Sequence, residues 1–335
     1  MSEDATDIQI SKFAELTEMC IIYSSDVDEY FSYIHNFLNF TSNDTVTLTI
    51  LKLLENDDDF SFVQLSMKTN NFVEEVVNNI VDLRKCLIGG NRLGNLYKIL
   101  VKCFKNDILN TECQCPSVIE VALDVHDDDE TCVLNPQWNL IYELCISPSF
   151  KDHTTMIEYA LSIIIPDDYE MYNEYNVFAI DFISKSFEIW PSEARKIDIL
   201  LLSNVIVSIL KTFPNHTIAL SSVVHLLIVL LSINDTFDVV YDTVVPFLIK
   251  CIEEENQKIL CAFAINTIKK IVNLGDSDDC VFLSDKFEND DDFVNICNSK
   301  IYQYEKKKIK SYGGSSRMIN HVSFDDIVPL KIPQT

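Results

Sequence analysis

The sequence predicts an all-α protein, on three observations. Apolar residues recur with the 3.6-residue period of amphipathic helices almost everywhere from residue 8 onward. Only six of the 335 residues are glycine, although parallel α/β and all-β folds need glycine at tight turns, phosphate loops and bulges. Hydrophobic residues make up 47% of the chain and aromatic residues 10%, which is enough for a large core. Helices joined by short polar turns are therefore expected.

The first hundred residues predict a succession of short helices. An apolar stripe of Phe13, Leu16, Met19 and Cys20 marks the first helix. Residues 45–50 alternate polar and apolar as a strand does, but the Leu-Lys-Leu-Leu that follows continues a helical pattern. Further helices are accordingly predicted at about 30–38, 44–54, 72–86 and 93–104.

The segment 106–136 has the weakest helical pattern, with one short predicted helix at 117–123. A boundary between two sub-arrays could fall there. From Trp138 onward the helical period resumes. The predicted helices are at about 137–146, 153–165, 171–188, 192–211, 216–232, 237–253, 256–273 and 290–309.

Two consecutive segments between residues 197 and 276 share one pattern. Lys211 at the end of one helix corresponds to Lys250, 39 residues later. In the helices that follow, Leu227 corresponds to Ile268, 41 residues later, and we expect both side chains to be buried. The other matched positions are Val224, Leu230, Ile233 and Asp235 with Ile265, Ile271, Leu274 and Asp276.

A helix–turn–helix unit of about 40 residues is the unit of HEAT and armadillo arrays. In this pattern and spacing the chain resembles the ARM/HEAT superfamily. The resemblance implies an α-solenoid of stacked antiparallel helix pairs over residues 1–310. Residues 311–335 would follow as a C-terminal tail, because 311–316 have the composition of a flexible linker. An irregular helical bundle without repeats is the alternative.

The chain is strongly acidic, with 26 Lys and Arg against 52 Asp and Glu and a net charge of −26. Nucleic-acid binding depends on Lys and Arg, so no nucleic-acid partner is expected. A protein partner with a basic face is the electrostatic expectation, and solubility alone is the alternative.

The carboxylates occur in runs at predicted turns, and stacking would line these runs along a rim. The run Asp290, Asp291 and Asp292 is the candidate binding site. The other runs are 57–59, 127–130 and 253–255. Residues 305–310 form the only basic cluster along the chain, where lysines at a helix end favour the helix dipole.

A cytoplasmic or nuclear location is expected. The eleven cysteines are an odd number, and several, such as Cys86 and Cys103, lie in apolar helical runs, which suits a reducing compartment. Residues 1–7 lack the features of a signal peptide. The longest apolar stretch, 218–233, is short and contains three serines and His225, so it predicts a buried core helix and no membrane insertion.

Nucleotide and calcium motifs are absent. Gly89 and Gly94 have the outer spacing of a phosphate loop, but Asn95 and Leu96 follow where Lys and Ser or Thr are needed. This segment is interpreted as a helix end and a turn. A calcium loop starting at Asp276 lacks the required glycine and glutamate.

No metal, cofactor or catalytic site is expected. The candidate zinc ligands have no second Cys knuckle, so they are interpreted as unrelated. They are Cys113, Cys115, Cys132, His126 and His153. His225 is interpreted as a hydrogen-bonded core residue, and no hydrolase or kinase motif occurs.

The expected function is that of a non-catalytic scaffold or regulatory subunit. Such a protein presents a helical-repeat surface to a phosphatase, kinase, GTPase or transport cargo. One alternative is a structural subunit of an obligate complex. The other is a helical enzyme whose site is assembled from distant residues.

Overall fold

The computed structural model describes residues 6–23, 34–86, 90–126, 128–147, 150, 153–165, 172–254, 257–276, 280–304 and 306. These residues form helices and turns and contain no β-strand. The prediction of an all-α fold is therefore confirmed.

The α-helices are α1 (Asp7–Tyr23), α2 (Asp44–Leu53), α3 (Ser61–Thr69), α4 (Phe72–Lys85), α5 (Asn91–Phe104), α6 (Pro116–Leu123), α7 (Thr131–Leu144), α8 (His153–Ile164), α9 (Glu174–Ile189), α10 (Ile199–Thr212), α11 (Thr217–Ser232), α12 (Phe237–Glu254), α13 (Lys258–Gly275), α14 (Val281–Glu288) and α15 (Asp291–Ile296). Short 3-10 turns lie at Leu38–Phe40, Asp58–Phe60, Glu112–Gln114 and Pro191–Lys196, and a π turn follows α15 at Cys297–Ile301.

Most predicted helices are present, with three differences. The helices α3 and α14 were not predicted from the sequence, because the helical period of their apolar residues extends over few residues. The predicted helix 192–211 is divided, because the side chain of Asp198 accepts a hydrogen bond from the Leu201 amide and starts α10 there. The basic cluster at 305–310, apart from Lys306, and the tail 311–335 lie outside the described residues.

The segment 44–54 is a helix and not a strand. The side chain of Asn43 accepts hydrogen bonds from the amides of Thr45 and Val46, which are otherwise unpaired at a helix start. This cap stabilises the start of the helix, and the leucines that follow continue the helical pattern. The segment is therefore helical although polar and apolar residues alternate at 45–50.

Of the apolar stripe predicted for α1, Phe13 is half-buried against Phe37, and the other residues lie on the exposed side. Leu16 is 58% exposed and Met19 is 54% exposed, while Ala14 and Ile21 are buried. Apolar residues occupy two sides of this helix, so the period alone did not identify the buried one. Small Ala14 lies on the buried side, and α1 packs on α2. Cys20, of the predicted stripe, is exposed as well.

The chain divides into two compact units, residues 1–286 and residues 287–335. In the first unit a succession of helices, which we name the helix row, comprises α1, α2, α5, α7, α9, α11 and α13. Each helix of the row packs against the next. The segment 106–136 lies within this unit and includes the first turn and a half of α7, and α5, which precedes the segment, packs directly against α7.

A second layer of helices covers one side of the row. The helices α4, α6, α8 and α12 pack against α5, α7, α9 and α13, and α10 packs against α12. The core lies between the layers. Trp138 of α7 is 1% exposed and packs against Phe182 of α9 and Tyr159 of α8, with ring centroids 6.3 and 5.9 Å away.

Leu227 of α11 and Ile268 of α13 are both fully buried, as predicted. Most of α11 is buried, which confirms the interpretation of 218–233 as a core helix. In the described part of the chain, no helix combines the length and apolarity needed to cross a membrane.

The helices α5 and α7 approach each other closely at Gly94. A Cβ atom at Gly94 would lie well inside 3.0 Å of the Cys132 carbonyl oxygen. Pro136, four residues after Cys132 in α7, has no N–H to bond that carbonyl. The glycine therefore packs against a carbonyl that α7 itself leaves free. Gly94 thus lies inside a helix, in agreement with the helix predicted at 93–104 and not with the interpretation of 89–94 as a helix end and a turn.

Replacing Gly94 by Ala should destabilise the protein by about 1–3 kcal/mol, because the methyl group forces α5 and α7 apart. In an unconstrained helix the same change stabilises by about 1 kcal/mol. A loss of stability in the Gly94→Ala variant would therefore indicate the close contact between the two helices. Unfolding in urea measures the effect. Lys98→Ala, at an exposed position one turn later in α5, is the control and should stay within about 0.5 kcal/mol of the natural protein. A stabilised Gly94→Ala variant would contradict the close contact.

Candidate functional site

The acidic run at 290–292 begins a helix. The Asp290 side chain accepts a hydrogen bond from the Phe293 amide at 3.0 Å, and Asp291 and Asp292 are exposed in the first turn of α15. Carboxylates are favourable at this end of a helix dipole. Asp57 caps the turn Asp58–Phe60 in the same way. These two runs therefore have a structural use, and their role in binding stays a prediction.

The run at 127–130 differs, because Asp129 is buried. Its carboxylate pairs with Arg84 of α4 at 2.7 Å, and both side chains are about one-tenth exposed. Arg84 also donates to Gln137 of α7 at 3.1 Å. Burial raises the pKa of the neighbouring Tyr97 to about 12, and its hydroxyl donates to the Val121 carbonyl. This network, which we name the Arg84 network, holds α4, α5 and α7 together and engages Asp129, whereas Asp128 and Glu130 of the same run are exposed.

The candidate zinc ligands do not come together. Three of them form separate hydrogen bonds: His126 with Asp124, Cys115 with Ser117, and Cys132 with Glu130. Cys113 lies beside Cys103. His153 packs between the rings of Phe150 and Trp190. Within the described residues, no three His, Cys, Asp or Glu side chains are placed to hold a metal ion.

Instead, the helix row carries a polar surface that crosses from helix to helix. Lys105 of α5 pairs with Glu143 of α7 at 2.7 Å. Tyr142, on the same side of α7, lies near Asp181 of α9. Burial raises the pKa of Tyr142, and the negative charge of Asp181 raises it further. Glu188 of α9 bonds His225 of α11 at 2.8 Å. We name this surface the row face: Lys98, Lys102, Lys105, Asn139, Tyr142, Glu143, Asp181, Lys185, Glu188, Ser221, His225, Lys270 and Asn273.

One pocket of about 480 Å³ opens on the row face between α9, α11 and α13. Asp181 and His225 line it together with Ser221, Lys270 and Asn273. The interpretation of His225 as a core residue is wrong, since its side chain is half exposed. The helix α11 is apolar almost all round, so its sequence did not reveal the exposed line.

The same pocket lacks a nucleophile–base pair. In the described residues no hydrogen bond joins His225 to Ser221 or to Ser222, which acyl-transfer chemistry requires of a base and its nucleophile. His225 is hydrogen-bonded to Glu188 instead. Burial raises the pKa of Asp181, while Ser222 and His225 oppose this shift. The arrangement is suited to hydrogen bonding with a ligand surface.

A second pocket of about 330 Å³ lies between α2, α5 and α7. Lys98, Lys102 and Lys105 line it with Asn139. The sequence interpretation, with 305–310 as the only basic cluster, missed this site because the three lysines are spread along a helix. Their spacing of four and three residues, in a stretch without Asp or Glu from 83 to 106, was the available signal.

The chain matches no protein-family model, no curated protein and no solved structure.

Asp181→Asn should make the protein more stable at neutral pH. Burial raises the pKa of Asp181 in the folded protein above 3.8. The stability that Asp181 contributes is therefore complete below its pKa in the unfolded chain, and it is lost as the pH rises through its pKa in the folded protein. The neutral Asn avoids that loss. Unfolding in urea between pH 4 and pH 7 measures the difference, which should vanish at the acidic end.

Asp82→Asn is the control for this experiment. The Asp82 side chain is 76% exposed, and its replacement should change the free energy of unfolding by less than about 0.5 kcal/mol at any pH. An Asp181→Asn variant that is less stable at pH 7 would show that the carboxylate stabilises the fold.

Proposed function

We propose that the protein is a non-catalytic scaffold or regulatory subunit that binds a partner protein along the row face. The observation that carries the proposal is the continuity of this face across five packed helices, with two open pockets on it. Ionisable groups of the first of these pockets are engaged with one another or with a neighbour, since Asp181 interacts with His225 and His225 is hydrogen-bonded to Glu188 beside the pocket. Extended polar surfaces of this kind suit recognition of another chain.

The proposed architecture is an ARM/HEAT-like α-solenoid. Its support is that hydrogen bonds between successive helices, or between the turns beside them, recur at about the repeat length. The Tyr175 amide donates to Asn135 across a separation of 40 residues, and Arg195 donates to Asp235 across 40. Thr154 donates to Glu193 across 39. In stacked repeats, corresponding positions of neighbouring units meet in this way.

A structural subunit of an obligate complex is the second candidate. Phe62 and Leu65 of α3 are 74% and 56% exposed, and Leu16 and Met19 of α1 are exposed as well. Exposed apolar side chains of this size mark protein contacts when they are contiguous. Either candidate is a protein-binding function, with a cytoplasmic or nuclear location.

A pair of arginine substitutions on the row face should abolish partner capture. Ser221→Arg with Asn273→Arg places two bulky charges in the pocket between α9, α11 and α13. The proteins that co-purify from the native cell would be identified by mass spectrometry, and circular dichroism would confirm that the variant is folded. Partner recovery should fall at least tenfold.

The matched control is Ser162→Arg with Asn204→Arg, on the exposed sides of α8 and α10 in the second layer. This variant should retain its partners. If the control loses them and the row-face variant keeps them, the partner binds the second layer and the proposal is wrong.

The net charge of −26 supports a second expectation, that the partner has a basic face. Its association rate should fall as salt rises from low to physiological concentration, because screening shortens the range of the attraction. Replacing Asp290, Asp291 and Asp292 by Asn should weaken this dependence if the run lies near the partner, and Asn keeps the helix cap. The matched control replaces residues 57–59. A partner whose binding ignores salt would mean that the acidity serves solubility.

A further inference from the structure

The pocket between α2, α5 and α7 has a charge opposite to that of the chain. We name it the lysine pocket. It is lined by Lys98, Lys102 and Lys105, and Glu55 is its one carboxylate among the described lining residues. Charges act over about 10 Å at moderate salt, so a ligand in the pocket meets these lysines before it meets the distant carboxylates.

Two of the three lysines have no carboxylate partner. Lys105 pairs with Glu143 at 2.7 Å. The Lys98 ammonium donates to the Asn95 side chain at 2.9 Å, which is a neutral acceptor. Lys102 makes neither an ion pair nor a hydrogen bond with any described residue. The positive charge of the pocket is therefore available to a ligand.

The rest of the lining is apolar or accepts hydrogen bonds. Leu51, Val101 and Pro136 contribute the apolar part. Asn139 is the neutral polar residue of the lining, and the Oδ1 atom of this side chain is buried and accepts no hydrogen bond from a described residue. An apolar floor beneath lysines fits an apolar side chain flanked by carboxylates better than it fits a bare anion.

We propose that the lysine pocket binds an acidic segment of a partner protein, with one apolar side chain of that segment on the floor of the pocket. The carboxylates on either side pair with Lys98 and Lys102. Single exposed ion pairs contribute little, so affinity comes from the ion pairs and the buried side chain together. The proposal rests on the proposed binding function and assigns one contact point within it.

A fluorescein-labelled peptide with one Phe between two blocks of four Glu tests the pocket directly. Fluorescence anisotropy with the full-length protein at low salt should show saturable binding, which added salt weakens. Since the chain and the peptide are both acidic, attraction by net charge cannot produce this signal. Replacing the Phe by Gly should weaken binding at least about tenfold, as expected for an aromatic side chain removed from water. Replacing Glu by Ser should also weaken it.

The decisive variant replaces Lys98, Lys102 and Lys105 by Gln. It should bind the Phe–Glu peptide at least tenfold more weakly. The matched control replaces Lys12, Lys250 and Lys258, three exposed lysines on α1, α12 and α13, and changes the net charge equally. The control should bind within about twofold of the natural protein.

Three results would overturn the proposal: no binding of the Phe–Glu peptide at low salt, equal losses in the two triple variants, or tighter binding of a single-stranded oligonucleotide or a phosphatidylserine vesicle through the same lysines. Partner capture separates this failure from that of the proposed function. If the peptide fails to bind while Ser221→Arg with Asn273→Arg still loses its partners, the scaffold function stands and the pocket assignment falls. Peptide binding with partner capture unchanged in every row-face variant would reject the scaffold function alone.

Discussion

The contact between α5 and α7 is the constraint on which the rest of the first unit depends. A glycine in one helix meets a carbonyl that a proline leaves free in the other. A few residues away, the buried guanidinium of Arg84 joins Asp129 and Gln137. Such a pair is costly to break, because the remaining charge is left buried without a partner. Close packing and a polar network thus join these helices at one junction, and α2 and α9 pack on its two sides.

Helix content was predictable because its signal is local. The 3.6-residue period and caps such as that at Asn43 act within a few residues. Burial was less predictable where a helix has two apolar sides, as α1 does, or is apolar almost all round, as α11 is. Which residues of α11 remain exposed to solvent depends on how α9 and α13 pack beside it. A short stretch of sequence does not contain that information. For this reason His225 was assigned to the core although it lies on the row face.

The surface charge of the folded protein was also hard to predict from the sequence. Net charge is a sum over the whole chain, whereas recognition depends on the charges within a few ångströms of a ligand. Carboxylate runs are visible in the sequence as neighbours, but Asp129 became a buried partner of Arg84 and Asp290 became a helix cap. The lysines of α5 are separated in sequence and adjacent on the helix. A count along the chain therefore did not show that these two carboxylates have structural roles, and it missed the basic pocket.

The order of packing along the helix row also has a consequence for how the protein folds. Contacts between row helices connect neighbours in the series, so the loop that must close for each contact is about 40 residues or shorter in most cases, as for Tyr175 with Asn135. Closing a loop of that length costs little more entropy than closing a short one. The chain therefore does not need its two ends to meet before it gains stability. Structure can start at the junction of α5 and α7 and extend toward both ends, one helix at a time.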